Sequence, residues 1–384
     1  MEGEKFMSTA SICILITIVV YLMGMLAIGF YFARKNESAS DFYLGGRRLG
    51  PLVTAMSAEA SDMSGYLLMG LPGLAYASGL ADVGWTIVGL AAGTYLNWLF
   101  TARRLRRYTQ ITNSFTLPQF FSNRFHDKKN ILTVIAALII MIFFVPYTAS
   151  GFAACGKLFS SLFGADYMTA MIISAIVIVG YTAAGGFLAA STTDFIQSII
   201  MSIAIVFVLA FATISAGGIG AVMENAQALP GYLSATSTYV AESGTSQPYG
   251  LLKIISTCAW GFGYFGMPHI LLRFMAIEDE NKLKLSRRVA SVWVVIAMAM
   301  AVFIGIVGNA LSKQGIIALL NGSDTETIIV RIADLLSKYG IFPALMAGLI
   351  LAGILASTMS TADSQLLAAS SSVSQNILQD TLHL

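Results

Sequence analysis

The chain has 384 residues, 57% of them hydrophobic and 11% charged, with a formal net charge of +2 and a mean hydropathy of +0.76. That balance leaves too little polar surface for a water-soluble globule and gives no basis for nucleic-acid binding, so the chain reads as an all-α polytopic membrane protein. Its three cysteines, Cys13, Cys155 and Cys258, all lie in apolar stretches without paired spacing, which implies neither a disulfide framework nor a zinc site.

About 20 apolar residues are needed to cross roughly 30 Å of hydrocarbon, and that criterion predicts nine spans. They fall at 11 to 33, 51 to 77, 83 to 101, 131 to 156, 167 to 187, 192 to 216, 250 to 274, 289 to 311 and 341 to 368. The first lacks a basic leader and a small-residue cleavage site, so it is expected to be retained rather than removed as a signal peptide. Polar linkers separate the spans. Two are longer: 217 to 249, rich in Gly, Ser and Thr, and 312 to 340, whose "TETIIVRIADLLSKYG" has helical periodicity and is expected at the surface.

Basic residues set the expected orientation. Arg34, Lys35, Arg47 and Arg48 follow the first span. Arg103, Arg104, Arg106, Arg107, Arg124, Lys128 and Lys129 follow the third, and Arg273, Lys282, Lys284, Arg287 and Arg288 follow the seventh. The 217 to 249 linker has no Lys or Arg at all. The positive-inside rule makes the basic side cytoplasmic, with the N-terminus outside a cell (plasma or inner) membrane. Asn36 and Asn321 each open an N-x-Ser sequon.

Three stretches carry chemistry. In "SAEASDMSGYLLMGLPG", residues 57 to 73, Asp62 sits at mid-span, where an ionised carboxylate costs about 2.5 to 3.5 kcal/mol even on a lenient scale. Ser61, Ser64 and Gly65 weaken the helix around it, and a local break there frees carbonyl oxygens such as those of Ala60 and Met63. Irregular backbone at membrane depth is tolerated where it lines a cavity, which favours an ion site over a packing face with Asp62 paired to a neighbour. In "CAWGFGYFGMPH", residues 258 to 269, Trp260, Tyr264 and Pro268 recur every four residues, and Pro268 cannot donate to the Tyr264 carbonyl. That pattern suits a pocket wall and equally a proline-kinked aromatic packing stripe.

In "GILASTMSTADSQLL", residues 353 to 367, the Ser357 carbonyl and the Ser360 and Thr361 hydroxyls converge at helical spacing. With the Ala60 and Met63 carbonyls they give about five neutral oxygens, a set suited to a monovalent cation, although small residues here also serve close packing. Asp363 is expected to be solvated near the cytoplasmic mouth. The second and seventh spans are both Gly-interrupted and enter the membrane from opposite sides, the arrangement of an inverted-repeat transporter. The three histidines, His126, His269 and His383, are scattered and form no catalytic cluster, so no enzyme is expected; His269 is read as a helix-end hydrogen-bonding residue.

"ASDMSGYLLMGLPG", "WGFGYFGMPHILLRFMA" and "STMSTADSQLL", with "DFYLGGRRLGP", "TLPQFFSNRF", "FFVPYTASG" and "GGFLAASTTD" in order, resemble the sodium/solute symporter family, most closely its sodium/proline symporters. The resemblance spans essentially the whole chain. It implies a LeuT-like fold of two inverted five-helix repeats after one extra helix. Residues 1–50 would hold the first helix and loop, 51–216 the first repeat, and 250–384 a partial second repeat within one transporter domain, 1–384. Twelve or thirteen spans are usual in the family, so nine imply a C-terminally incomplete chain.

By the same resemblance sodium, the co-transported ion, would be held by Ala60, Met63, Ser357, Ser360 and Thr361, with Asp62 needed for high affinity. Arg47 and Asp194 would affect coupling or sodium release. Proline would meet Ser64, Gly65, Tyr66, Tyr147, Trp260, Tyr264 and Pro268. Tyr66 stands where members usually have Trp, and Met267 where Gln is common. The implied function is sodium-coupled import of L-proline or a similar small amino acid. The alternatives are symport of another small organic solute and a membrane solute sensor that does not transport.

Overall fold

The computed structural model describes residues 8–34 and 37–383, so Lys35 and Asn36 lie outside the described residues. The first helix, α1 (Thr9–Ala33), is capped by Ser8, whose side chain accepts from the Ser11 N–H. A short helix, α2 (Ala39–Leu44), leads into a tight turn. Pro51 then opens α3 (Pro51–Met63) at a position where its missing N–H costs nothing.

The α3 helix stops where the weak-helix residues stand. Ser64 adopts φ 50° and ψ −170°, and a π-helical turn over Tyr66–Gly70 restarts the path into α4 (Leu71–Ser78). The end of α4 is sealed by Tyr232, whose hydroxyl donates to the carbonyls of Ala75 (2.7 Å) and Tyr76 (3.0 Å). Next come α5 (Leu80–Asn97), a second π-helical turn at Trp98–Ala102, and α6 (Arg103–Ile111); α7 (Leu117–Phe125) lies in the basic linker.

The long helices α8 (Ile131–Phe163) and α9 (Tyr167–Ser215) follow. At 1.5 Å per residue the 49 residues of α9 would reach about 74 Å, more than twice the hydrocarbon thickness. Gly186, with φ 62° and ψ −154°, breaks it into two arms where Phe42 presses close. Only a residue without Cβ fits there.

The 217 to 249 linker is more structured than its composition suggests. It holds α10 (Ile219–Ala228) and an antiparallel hairpin of β1 (Ser237–Val240) and β2 (Thr245–Pro248). Glycine and serine content alone cannot reveal pairing that depends on a turn closing.

The seventh segment is interrupted, as the glycines and Pro268 imply. It runs through α11 (Leu251–Cys258), a 3₁₀ stretch at Ala259–Gly266 and α12 (Pro268–Ala276). Glycines let this stretch lie directly against α5: a Cβ on Gly89 or Gly93 would strike the backbone of Cys258 or Gly261. The remaining helices are α13 (Leu283–Lys313), α14 (Ile328–Ser337), which matches the periodicity read in that linker but buries much of its surface, and α15 (Ile341–Ser371).

Among the described residues five helices are long and apolar enough to cross a membrane. Of these α15 is the most enclosed, with 67% of its apolar window buried against 28% for α8. It packs on α1, α3, α8, α9 and α14 and forms the centre of the molecule.

Candidate functional site

The break in α3 and the hydroxyl face of α15 meet at the centre. Ser64 sends no backbone bond back into α3; the Leu67 N–H turns to the Ser64 carbonyl (3.3 Å) and the Met69 N–H to that of Gly65 (2.9 Å). The last turn of α3 is therefore left with carbonyls to offer. The Ser360 hydroxyl donates to the Ala60 carbonyl at 2.8 Å and also approaches the Ser357 carbonyl at 3.3 Å, while the Thr361 hydroxyl lies 3.4 Å from that carbonyl. Four of the five expected ion ligands thus converge on one spot. Met63, the last residue of α3, lies next to it beside Asp62. Gly65 admits α15 at this point, since a Cβ there would stand 3.0 Å from the Thr358 hydroxyl.

Two cavities flank the break, and Ser64, Tyr66 and Tyr147 line both. The first, of about 440 Å³, adds Gly65, Thr361 and Gln365, with Lys157 and Glu326 paired across it at 3.4 Å. The second, of about 470 Å³, adds Asp62, Met63, Trp260, Tyr264 and Met267. The rings of Tyr66 and Trp260 pack edge to face, 5.1 Å between centroids, and close part of its wall. Asp62 is half-buried, and its Oδ2 has no hydrogen-bond partner. Of the expected substrate residues only Pro268 lines neither cavity: it is the first residue of α12, one position past Met267. The carbonyl that Pro268 leaves free, that of Tyr264, accepts from Asn97 Nδ2 at 2.8 Å.

Asp363 is not solvated. It is fully buried and accepts from the Tyr181 hydroxyl (2.7 Å) and from Ser364 (3.0 Å). Arg273, counted from sequence among the loop cations, is likewise buried, 2.8 Å from Asp194. The α9 arm after Gly186 places Asp194 against Ser57 of α3, whose hydroxyl it accepts at 2.6 Å. Arg273 also donates to Ser57, Ser364 and the His269 carbonyl. One guanidinium therefore ties α3, α9, α12 and α15 together, and the packing of four helices is what hides these charges from a linear reading. Asp194 itself is not part of the oxygen cluster; Ser364, one turn beyond Ser360, links the two. His269 does not hydrogen-bond through its ring Nδ1, which is buried and unpartnered beside Phe144.

Arg47 is a staple rather than a ligand. Its guanidinium donates to the carbonyls of Met275 (2.6 Å), Thr109 (2.9 Å) and Ser114 (2.7 Å), joining the approach to α3 to the ends of α6 and α12. Leu49 and Ile277 pair as a parallel bridge beside it. The start of α3 and the end of α12 are thereby held to each other.

Gln365 escaped the sequence reading. It is fully buried at the first cavity, its amide N and O both lack partners, and Tyr147 faces it. Its position one helical turn after Thr361 was the available signal. Among the described residues no three His, Cys, Asp or Glu side chains converge; the oxygens gathered at the break are backbone carbonyls and hydroxyls.

Residues 42–382 match the model of the sodium:solute symporter family. The chain belongs to the sodium:solute symporter family. Over 368 residues it is 41% identical to the osmoregulated proline transporter OpuE of Bacillus subtilis (strain 168), covering 96% of this chain and 71% of that protein. Over 363 residues it is 42% identical to sodium/proline symporter 2 of Staphylococcus saprophyticus, covering 94% and 67%. Its fold is similar to that of a Na+-coupled sialic acid symporter in a substrate-bound outward-open state, with a TM-score of 0.79 at 19% identity, covering 96% of this chain and 75% of that one. The symporter is a multi-pass membrane protein, a transporter and not an enzyme, and sodium is its co-transported ion.

Proposed function

We propose that the symporter imports L-proline, or a similar small amino acid, by alternating access coupled to sodium. The observation that carries this reading is the Ser360–Ala60 hydrogen bond at a helix break that opens directly on two cavities. Sodium, held by the carbonyls of Ala60, Met63 and Ser357 and the hydroxyls of Ser360 and Thr361, replaces that bond and fixes the broken half of α3 against α15. The Asp62 carboxylate supplies the nearby negative charge. Ser64, Gly65, Tyr66, Tyr147, Trp260 and Tyr264 then enclose the solute, with Pro268 acting by releasing the Tyr264 carbonyl. Asp194 and Arg47 act at the inner ends of the helices, on opening rather than on binding.

Nine spans, with the two arms of α9 each crossing once, put the N-terminus outside and the basic linkers in the cytoplasm of a plasma or inner membrane. Residues 51–216 form the first repeat and 250–384 part of the second, after the leading helix in 1–50. One charge moving through 100 mV yields about 2.3 kcal/mol, and a tenfold sodium gradient adds about 1.4 kcal/mol. Together they support a solute gradient of several hundredfold. The test is uptake of labelled proline by vesicles bearing the symporter, with and without an inward sodium gradient; equal accumulation rejects coupling.

A further inference from the structure

A third cavity, between α9 and α13, is chemically unlike the two at the break. It holds about 540 Å³ and is walled by Met56 of α3, Ile205 and Val206 of α9, and Val292, Trp293 and Met300 of α13. Its polar atoms are closed on one another: Trp293 Nε1 donates to the Ser202 hydroxyl at 2.9 Å, which in turn donates to the Ser198 carbonyl at 2.7 Å. What remains is a hydrocarbon surface with one charged lining residue, Arg288, at its end.

Arg288 is exposed and has no carboxylate partner among the described residues. The acids of the segment leading into α13 are engaged, Glu280 by Arg103 and Arg107, Glu278 by Lys282, and Asp279 by the backbone and side-chain amides of Asn281. The α13 helix contains no Asp or Glu, while its first turns carry Lys284 and Arg287 as well. An apolar channel with an unneutralised cation at its mouth complements an anion that carries a hydrocarbon tail. The lengths agree. From Arg288 to Met300 the helix rises about 18 Å, against about 15 Å for the hydrocarbon depth of one leaflet.

We propose that this groove binds an anionic phospholipid, with the phosphate on the Arg288 guanidinium and one acyl chain lying along α13 as far as Met300. Met56 lies one turn before Ala60, so the bound chain packs on the half of the broken helix that carries the ion-site carbonyl. Lipid occupancy and the position of that half-helix are therefore linked. The assignment rests on the chemistry of the groove and holds whatever solute is carried.

The test uses the full chain in neutral phosphatidylcholine vesicles, titrated with phosphatidylglycerol or phosphatidylcholine brominated on the acyl chain, with tryptophan fluorescence as the readout. Brominated phosphatidylglycerol should quench at about fivefold lower mole fraction than brominated phosphatidylcholine, the preference one cation near the surface supplies. Arg288→Gln should bring the two curves together, Arg288→Lys should keep them apart, and Trp293→Phe should remove the selective component. Equal quenching of the unaltered chain by both lipids overturns the proposal. So does selectivity that survives Arg288→Gln, which would assign it to the basic linkers at large, or selectivity that survives Trp293→Phe, which would place the lipid elsewhere. The unaltered chain and Trp293→Phe decide the matter even if the arginine variants fail to fold.

Discussion

The hydroxyl of Ser360 donates to the carbonyl of Ala60 at 2.8 Å, joining two residues 300 positions apart at the centre of the molecule. Removing that hydroxyl takes one oxygen from the proposed ion site and one bond from the α3–α15 contact. Interhelical hydrogen bonds in membranes average about 0.6 kcal/mol, so Ser360→Ala should fold. Its half-saturating sodium concentration in uptake assays should rise at least about tenfold, the effect of losing about 1.4 kcal/mol of ion binding. An unchanged sodium dependence would remove Ser360 from the site.

Asp62 lines the second cavity and carries a buried, unpartnered carboxylate oxygen. Asp62→Asn keeps the shape and removes the charge, so sodium affinity should fall more than proline affinity measured at saturating sodium. Proline uptake titrated with sodium separates the two. Equal losses in both would make Asp62 a general structural residue.

The buried pair of Asp194 and Arg273 stands to lose more when it is halved than when it is removed whole. Breaking such a pair leaves an uncompensated charge and costs about 3 to 5 kcal/mol. Arg273→Leu should lower the thermal midpoint of the purified protein sharply, and Asp194→Asn combined with it should restore much of the loss. Additive losses would show that the two charges do not depend on each other.

Gln365 has a donor and an acceptor to offer at the first cavity. Gln365→Leu removes both at similar volume. The expected result is a raised KM for proline, about tenfold for the loss of a well-placed polar contact, with normal protein yield. An unchanged KM would place the solute outside this cavity.

How much of this the sequence reveals depends on the range of the interaction. The break at Ser64 and the interruption before Pro268 are legible because glycine, serine and proline act on their own backbone. The triplet of Ser357, Ser360 and Thr361 is legible because helical spacing fixes which oxygens share a face. Asp363 and Arg273 are misread for the opposite reason: each is buried by partners on other helices, Tyr181 and Asp194, which no local pattern specifies. Arg47 points to function through the family resemblance, yet its role as a staple on three carbonyls emerges only once α6 and α12 are placed beside it.

Glu280 lies in the linker before α13, 2.6 Å from Arg107 and 3.4 Å from Arg103. The hydrogen bond from Arg107 holds its carboxyl below the usual range. A carboxyl lowered on folding stabilises above its unfolded pKa, about 4.3, and that contribution is lost as pH falls through the lower folded value. The thermal midpoint of the unaltered protein should therefore exceed that of Glu280→Gln at pH 7, and the difference should fade below about pH 4. A difference that persists in acid would argue against the ion pair as its source.

The most direct test of the account is equilibrium binding of labelled proline to the purified symporter in sodium and in an equal concentration of potassium. If sodium fixes the broken half of α3 beside the solute, proline should bind at least about tenfold more tightly in saturating sodium, since each ligand must raise the affinity of the other equally, and Ser360→Ala should need about tenfold more sodium to show the same difference. Equal proline affinity in the two salts would contradict the account.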